Sequence, residues 1–306
     1  MSKKIKDPGF GYDSSNTSHR LVNRDGSFNI KHLNKKFSFS EVYSYLIGMP
    51  WWAFFVLVFL GYIVVNLFFG ALYYLIGIEQ LTVKSAGFFN DFANAFFFSS
   101  QTITTLGYGA ISPTGHLAAF IAAFEAFLGL LSFSFFTGLL YGRFSKPKAA
   151  IRFSNTFVIR RFKNETALMF RLMNKRKNIM IEPEVNVTIA INKVSDDGTF
   201  KRDFFQLPLE RKKIMYLPTT WTIVHQIDET SPLFHYSNEE LKQLNAEIFV
   251  LLEYYEDSFS QRVYQLHSYD FNQLEIDKKF TPAYYFDSEG VALLDHRKLS
   301  ETIYMD

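Results

Sequence analysis

Between Glu41 and Glu79 the chain carries no Asp, Glu, Lys or Arg, and between Asp91 and Glu125 it again carries none. Two uncharged runs of this length decide what the chain can fold into, because the rest of its 306 residues is too little to wrap them away from water. The first contains WWAFFVLVFLGYIVVNLFFGALYYLI, Trp51 to Ile76, with no formal charge. As a helix it spans roughly 39 Å, more than the ~30 Å hydrocarbon layer of a bilayer requires. Trp51 and Trp52 open it and Tyr73 and Tyr74 lie near its end, where amphipathic rings settle at membrane interfaces. The second apolar block, Leu117 to Gly142, contains only Glu125 as a formal charge. Both blocks are expected to cross a membrane. Buried helices of a large soluble core are the alternative.

The flanking charges orient the spans. Lys31, Lys35 and Lys36 precede the first, and Arg143, Lys146, Lys148 and Arg152 follow the second, whereas Glu79, Lys84 and Asp91 lie between them. The Lys/Arg excess places both termini in the cytoplasm of a multi-pass plasma (inner) membrane protein. Residues 1–28 lack an apolar signal-peptide core, so the first span is expected to direct insertion. The absence of cysteine excludes disulfides and thiolate metal sites. No nucleic-acid partner is expected.

The segment joining the outer ends of the spans holds GFFNDFANAFFFSSQTITT, apolar enough to enter the membrane and too short to cross it. It is expected to form a re-entrant helix over about 90–104, followed by Thr105-Leu106-Gly107-Tyr108-Gly109 in extended form. Non-helical backbone at membrane depth survives only where protein surrounds it or where it lines a water-filled path. Alternating glycines let successive carbonyls turn toward one axis, and such a row can replace the hydration shell of a potassium ion.

Thr105-Leu106-Gly107-Tyr108-Gly109 closely resembles the T-V-G-Y-G selectivity filter of potassium channels, with Leu106 in place of valine. That resemblance implies K⁺ as the permeant ion, with no cofactor, coordinated by the carbonyls of Thr105, Leu106, Gly107 and Tyr108 and the Thr105 hydroxyl. One chain supplies one wall, so it also implies a homotetramer.

Upstream, FSFSEVYSYLIG places Phe39, Val42, Tyr43, Leu46 and Ile47 on one helical face opposite Ser40, Glu41 and Ser44. Ser38 with Glu41 fits a capping box. An amphipathic helix next to a span suits the inner interface; a packed helix of the cytoplasmic domain is the alternative. The stretch resembles the slide helix of inward-rectifier potassium channels.

After the second span the period changes. VNVTIAIN, 185–192, alternates Val185, Val187, Ile189 and Ile191 with polar or small residues, and Asp197-Gly198 is a turn signal. Further strand-like runs fall at 155–163, 166–173, 221–227, 247–255 and 261–267. Short strands separated by turns argue a β-sandwich, and no G-x-G-x-x-G opens a helix. TIVHQIDETSPL at 222–233, SKPK at 145–148, RFSNTFVI at 152–159, LMFRLMNKRK at 168–177 and NRDGSFNI at 23–30 resemble successive segments of the inward-rectifier family, prokaryotic type.

The expected architecture is therefore a membrane α-helical pore, two transmembrane helices plus a re-entrant pore helix per subunit, with a cytoplasmic immunoglobulin-like β-sandwich. Its parts are a cytoplasmic amino-terminal segment over 1–36, a slide helix over 37–50, a pore domain over 51–145 and a cytoplasmic regulatory domain over 146–306.

Many family members carry a pore-helix Glu paired with an Arg just after the filter, positions held here by Gln101 and Ile111. Joint loss avoids an unpaired buried charge, and filter rigidity must then come from other contacts, with Gln101 hydrogen bonding as a candidate. The family's polyamine-attracting position aligns with Phe133. Gly129, Phe133, Thr137 and Tyr141 follow one another at i+4. If their face meets the pore, Phe133 and Tyr141 form apolar constrictions that gate by dewetting, Tyr141 at the cytoplasmic end; packing between helices is the alternative. Gly129 aligns with the family's hinge, and close helix contact is its other reading. Glu125 is expected to face protein or water, attracting ions or bracing the pore helix, with a merely satisfied interface carboxylate as the alternative.

Arg143, Lys146 and Lys148 stand where basic side chains meet anionic lipid headgroups, or where they merely hold the topology. The resemblance matches them to lipid-binding positions, and matches Glu253 and Asp257 to acids of the cytoplasmic pore, with a solvated strand edge as the ordinary alternative. No metalloprotease, nucleophile or Walker motif occurs. A membrane-anchored sensor or enzyme, and a poorly selective cation channel, are the competing functions.

Overall fold

The computed structural model describes residues 3–11, 20–23, 26–34, 38–147, 149–177, 179–194 and 198–305. Lys35, Lys36, Lys148 and Asp197, which entered the charge, lipid and turn expectations above, lie outside the described residues. The chain divides into a unit of residues 34–146 and a unit of residues 1–33 with 147–306.

The first unit is helical. Helix α1, Phe39–Gly48, has Ser38 at its N-cap, but the Ser38 hydroxyl meets the Ser40 hydroxyl at 2.8 Å and caps no helix N–H. The expected Ser38–Glu41 capping box is therefore not formed, because a nearer hydroxyl takes the Ser38 side chain. Helix α2, Trp51–Ile76, starts behind Pro50 and ends at Gly77, whose φ of 102° carries the chain out of the helix. Helix α3, Phe88–Ile103, and helix α4, His116–Ser145, complete the unit. Helices α2 and α4 are long and apolar enough to cross a membrane, and α4 runs three residues beyond the expected Gly142.

Small residues set the helix spacing. A β-carbon on Gly70 of α2 would stand 3.1 Å from the Phe96 α-carbon of α3, so the two helices approach almost backbone to backbone. A β-carbon on Gly142 of α4 would stand 2.9 Å from both the Tyr43 hydroxyl and Ile47 Cδ1, which seats α1 on the end of α4. The rest of the contact is aromatic, with Phe54 stacked on Phe136 at 5.8 Å and Tyr73 edge-on to Phe98 at 4.8 Å.

The second unit is a sandwich of two sheets. In chain order the strands of these two sheets are β1 (Lys3–Ile5), β2 (Ile151–Phe153), β3 (Phe157–Phe162), β4 (Glu165–Asn174), β5 (Met180–Val194), β6 (Phe200–Leu207), β7 (Thr220–Ile227), β8 (Ala246–Glu256), β9 (Gln261–Asp270) and β10 (Leu274–Ile276), and two further two-stranded sheets follow between Lys278 and Tyr304. One sheet has the order β1-β6-β5-β8-β9; the other runs β10-β3-β4-β2, with β7 also on β4. All these pairings are antiparallel except β10 on β3. The alternation at Val185, Val187, Ile189 and Ile191 turns those four side chains into one core with Phe157, Leu168, Phe170 and Leu252. Strand β6 escaped the sequence reading, because FKRDFFQL breaks strict alternation with three charges.

The amino-terminal residues do not stand apart as a separate segment. Strand β1 adds to the edge of β6, and Val22 is buried with Ala190, Phe204 and Phe249 on the outer face of that sheet. Phe10 stacks on Phe249 at 4.5 Å, and the Ser268 hydroxyl donates to the Val22 carbonyl at 2.6 Å.

His225 of β7 is a second tie, within TIVHQIDETSPL. Its Nδ1 lies 2.7 Å from the Pro208 carbonyl and its Nε2 lies 2.9 Å from the Ser231 hydroxyl. A neutral ring donates at Nδ1 and accepts at Nε2, and burial holds the imidazole below its ordinary range. The unfolded chain therefore binds a proton that the folded chain refuses as pH falls below the ordinary histidine value. Stability is full above that value and declines beneath it. In detergent the melting temperature is expected to drop between about pH 7 and 5, and His225→Gln to flatten that drop.

Candidate functional site

Helix α3 ends at the stretch that the sequence singled out. Its closing turn is made by Thr105 N–H donating to the Thr102 carbonyl at 3.0 Å and Leu106 N–H donating to the Gln101 carbonyl at 2.9 Å. This is a Schellman closure, in which the residue after the cap turns left-handed. Here that residue is Thr105, at φ 57°, a conformation unfavourable to a β-branched side chain. The Gly107 N–H also reaches the Gln101 carbonyl, at 3.2 Å, so one main-chain oxygen gathers the first half of the loop.

Beyond the turn, Gly107 has φ 53° and Gly109 φ 81°. Leu106 is 55% exposed and Tyr108 75%, and a β-carbon on either glycine would meet nothing within 4 Å. Residues 105–109 are thus all exposed, tied back to α3 through the Thr105, Leu106 and Gly107 N–H groups. The return to α4 is held instead by Thr82, whose N–H donates to the Ser112 carbonyl at 2.9 Å and whose hydroxyl accepts from Ser112 N–H at 2.9 Å. Thr114 N–H donates to the Gln80 carbonyl at 2.8 Å.

Behind α3 lies a buried polar cluster. Glu125 of α4 accepts from the Tyr73 hydroxyl at 2.7 Å and lies 2.5 Å from the Ser99 hydroxyl of α3. Asn66 of α2 lies 3.1 Å from Ser99 through its Oδ1 and donates its Nδ2 to the Tyr62 carbonyl at 2.7 Å. Glu125 thus faces protein, hydrogen-bonded to both α2 and α3. Tyr73, Ser99 and Asn66 were not found from the sequence as site residues; a polar residue inside an otherwise apolar span was the available signal.

The Gln101 side chain does not supply a brace. Its Oε1 is buried with no hydrogen-bond partner among the described residues. Ile111 packs at the edge of the cluster around Tyr73 and Phe98.

Along α4 the i+4 series splits. Gly129 faces α3 so closely that a β-carbon there would overlap the Ile103 carbonyl oxygen. Phe133 is 69% exposed and Tyr141 75%, so both project away from their own chain. Thr137 donates its hydroxyl back to the Phe133 carbonyl at 2.9 Å and Ser134 to that of Leu130 at 2.9 Å, contacts that favour bending of a helix.

Arg143 is only 9% exposed and does not extend from the helix end. Its guanidinium donates to the Leu46 carbonyl and, at 2.7 Å, to the Met49 carbonyl, and it stacks 4.4 Å from the Trp51 ring and 4.5 Å from that of Phe54. It thus satisfies carbonyls at the end of α1, as a basic group at a helix C-terminus does. Lys146 follows at the C-cap of α4.

In the sandwich unit, Glu253 of β8 is partly exposed and lies 3.8 Å from Arg262 of β9. Asp257 begins a single 3₁₀ turn, Asp257–Phe259, at the tip between those strands. Ser260, left-handed at φ 51°, returns the chain. Among the described residues no cluster of three or more His, Cys, Asp or Glu could hold a metal.

Comparison with known proteins bears on both units. A family described as inward rectifier potassium channel C-terminal domain matches residues 151–306, and one described as ion channel matches residues 61–146. The inward rectifier potassium channel Kirbac3.1 of Paramagnetospirillum magnetotacticum is 33% identical over 284 residues, 92% of this chain and 95% of its own length. ATP-sensitive inward rectifier potassium channel 12 of Gallus gallus is 24% identical, covering 96% of this chain and 75% of that one. Among solved structures, the sporulation control protein Spo0M of Bacillus subtilis superposes over 42% of this chain and 50% of its own at 8% identity and a TM-score of 0.21, too distant to inform the fold.

Proposed function

This chain belongs to the inward rectifier potassium channel family, and on that premise we propose that four copies of it surround one pore in which Thr105, Leu106, Gly107, Tyr108 and Gly109 select the ion. It is a potassium channel and a membrane protein, not an enzyme. The carrying observation is the exposure of residues 105–109 on a single chain. Exposed non-helical backbone at membrane depth is tolerated only against protein or a water-filled path, and four copies around an axis supply both.

In that arrangement the carbonyls of Thr105, Leu106, Gly107 and Tyr108, with the Thr105 hydroxyl, replace the water around K⁺. The carboxyl end of α3 adds a partial negative charge beneath the filter, which favours a cation there. Phe133 and Tyr141 project toward the path from α4 and narrow it, with Tyr141 the cytoplasmic constriction and Gly129 the hinge.

Both termini lie in the cytoplasm of the plasma (inner) membrane. Anionic headgroups meet the basic end of α4, where Arg143 already holds α1 and Lys146, at the C-cap, is the described basic group left for them, with Lys148 following in sequence. The β-sandwich, with Glu253 and Asp257 along its ion path, biases the equilibrium between closed and open α4 bundles.

Barium-sensitive rubidium uptake into liposomes tests the channel, with sodium uptake as the selectivity control and anionic lipid present or absent. No uptake in either lipid, or equal sodium and rubidium uptake, overturns the proposal. Tyr141→Ala is expected to raise uptake several-fold at equal protein content. Unchanged uptake would remove Tyr141 from the gate.

A further inference from the structure

The cluster behind α3 contains more oxygen contacts than its hydroxyl hydrogens can fill if Glu125 is ionised. Glu125, Ser99, Asn66 and Tyr73 are each fully buried. Ser99 owns one hydroxyl hydrogen but has two acceptors in reach, Glu125 Oε1 at 2.5 Å and Asn66 Oδ1 at 3.1 Å. Turning the Asn66 amide over does not help, since its oxygen would then face the Tyr62 carbonyl, now 2.7 Å from Nδ2. The Tyr73 hydroxyl already serves Glu125 Oε2.

One more hydrogen, on Glu125 Oε1, closes the set. Tyr73 then donates to Oε2, Oε1 donates to Ser99, Ser99 donates to Asn66 Oδ1, and Asn66 donates to the Tyr62 carbonyl. Every buried polar atom in the chain of contacts gains a partner, as buried groups require. An ionised Glu125 would leave two acceptor oxygens pressed together at 3.1 Å. Among the described residues no basic side chain takes part in the cluster to offset the charge.

We propose that Glu125, in its carboxylic acid form, is a positioning residue for the filter. It holds Ser99, two residues before Gln101, whose carbonyl gathers the Leu106 and Gly107 N–H groups. The brace thus enters from α4, behind the pore helix, and replaces the support that Gln101 and Ile111 do not give. It rests on the filter assignment above, which wild-type rubidium uptake checks separately.

The test compares sodium-to-rubidium uptake ratios in liposomes for the wild type and the Glu125→Gln, Glu125→Ala and Ser99→Ala variants. Glu125→Gln keeps an acceptor for Tyr73 and a donor for Ser99, so its ratio should stay at the wild-type value. Glu125→Ala and Ser99→Ala should raise the ratio about tenfold, the scale of one lost buried hydrogen bond. If Glu125→Ala does not assemble, Ser99→Ala carries the comparison. Infrared spectra of the wild-type channel should show a carboxylic acid carbonyl band that Glu125→Gln abolishes. A Glu125→Gln ratio as high as that of Ser99→Ala, a wild-type ratio in Ser99→Ala, or the absence of that band would each overturn the proposal.

Discussion

Gly109→Ala is expected to abolish barium-sensitive rubidium uptake while leaving the assembled channel intact. At φ 81° Gly109 occupies backbone space that an L side chain enters at about 1 to 2 kcal/mol per residue. In the proposed tetramer that cost arises four times around one axis, roughly 4 to 8 kcal/mol, which is enough to turn the carbonyls out of line. Nothing lies within 4 Å of the added β-carbon, so the loss comes from backbone conformation and not from collision. Uptake below about a tenth of wild type, with an unchanged tetramer in gel filtration, is the outcome consistent with this account. Near-normal uptake would mean that residues 105–109 do not form the filter.

The second large effect is expected at Gly129. Alanine there must displace either α4 or the Ile103 carbonyl, and overpacking of this kind costs about 1 to 3 kcal/mol per chain. The carbonyl belongs to the last turn of α3, next to Thr104 and Thr105, so displacement passes directly to the proposed filter. Gly129→Ala is therefore expected to lower the melting temperature and to reduce uptake together. Gly138→Ala is the control, since a β-carbon there meets nothing within 4 Å and alanine is the better helix former by about 1 kcal/mol. If Gly129 served only as a hinge, Gly129→Ala would keep wild-type stability and alter uptake alone. A variant with both unchanged would leave neither role standing.

The two helices crossing the membrane, the re-entrant helix and the filter motif were legible because lipid imposes a coarse rule on sequence. A segment inside hydrocarbon must be long, apolar and internally hydrogen-bonded, and Trp51–Ile76 and the block before Arg143 show it without any knowledge of neighbours. The strands with one buried face, such as 185–192, were legible for a similar reason, since period-two burial writes itself into the residues. Strand β6 and the short β1 were not, because their partners in the sheet, rather than their own pattern, stabilise them.

The site divides along the same line. Sequence alone placed Thr105 to Gly109 directly after a short apolar helix and required protein or water around Glu125. Only the tertiary structure decided that Glu125 meets Ser99 and Tyr73, that Gly129 lies against Ile103, and that Arg143 turns back onto the Leu46 and Met49 carbonyls. Burial and backbone conformation are properties of a segment and its solvent, so they leave a local trace. A hydrogen bond between residues 26 or 97 positions apart depends on where two helices cross, and no stretch of either helix records that by itself.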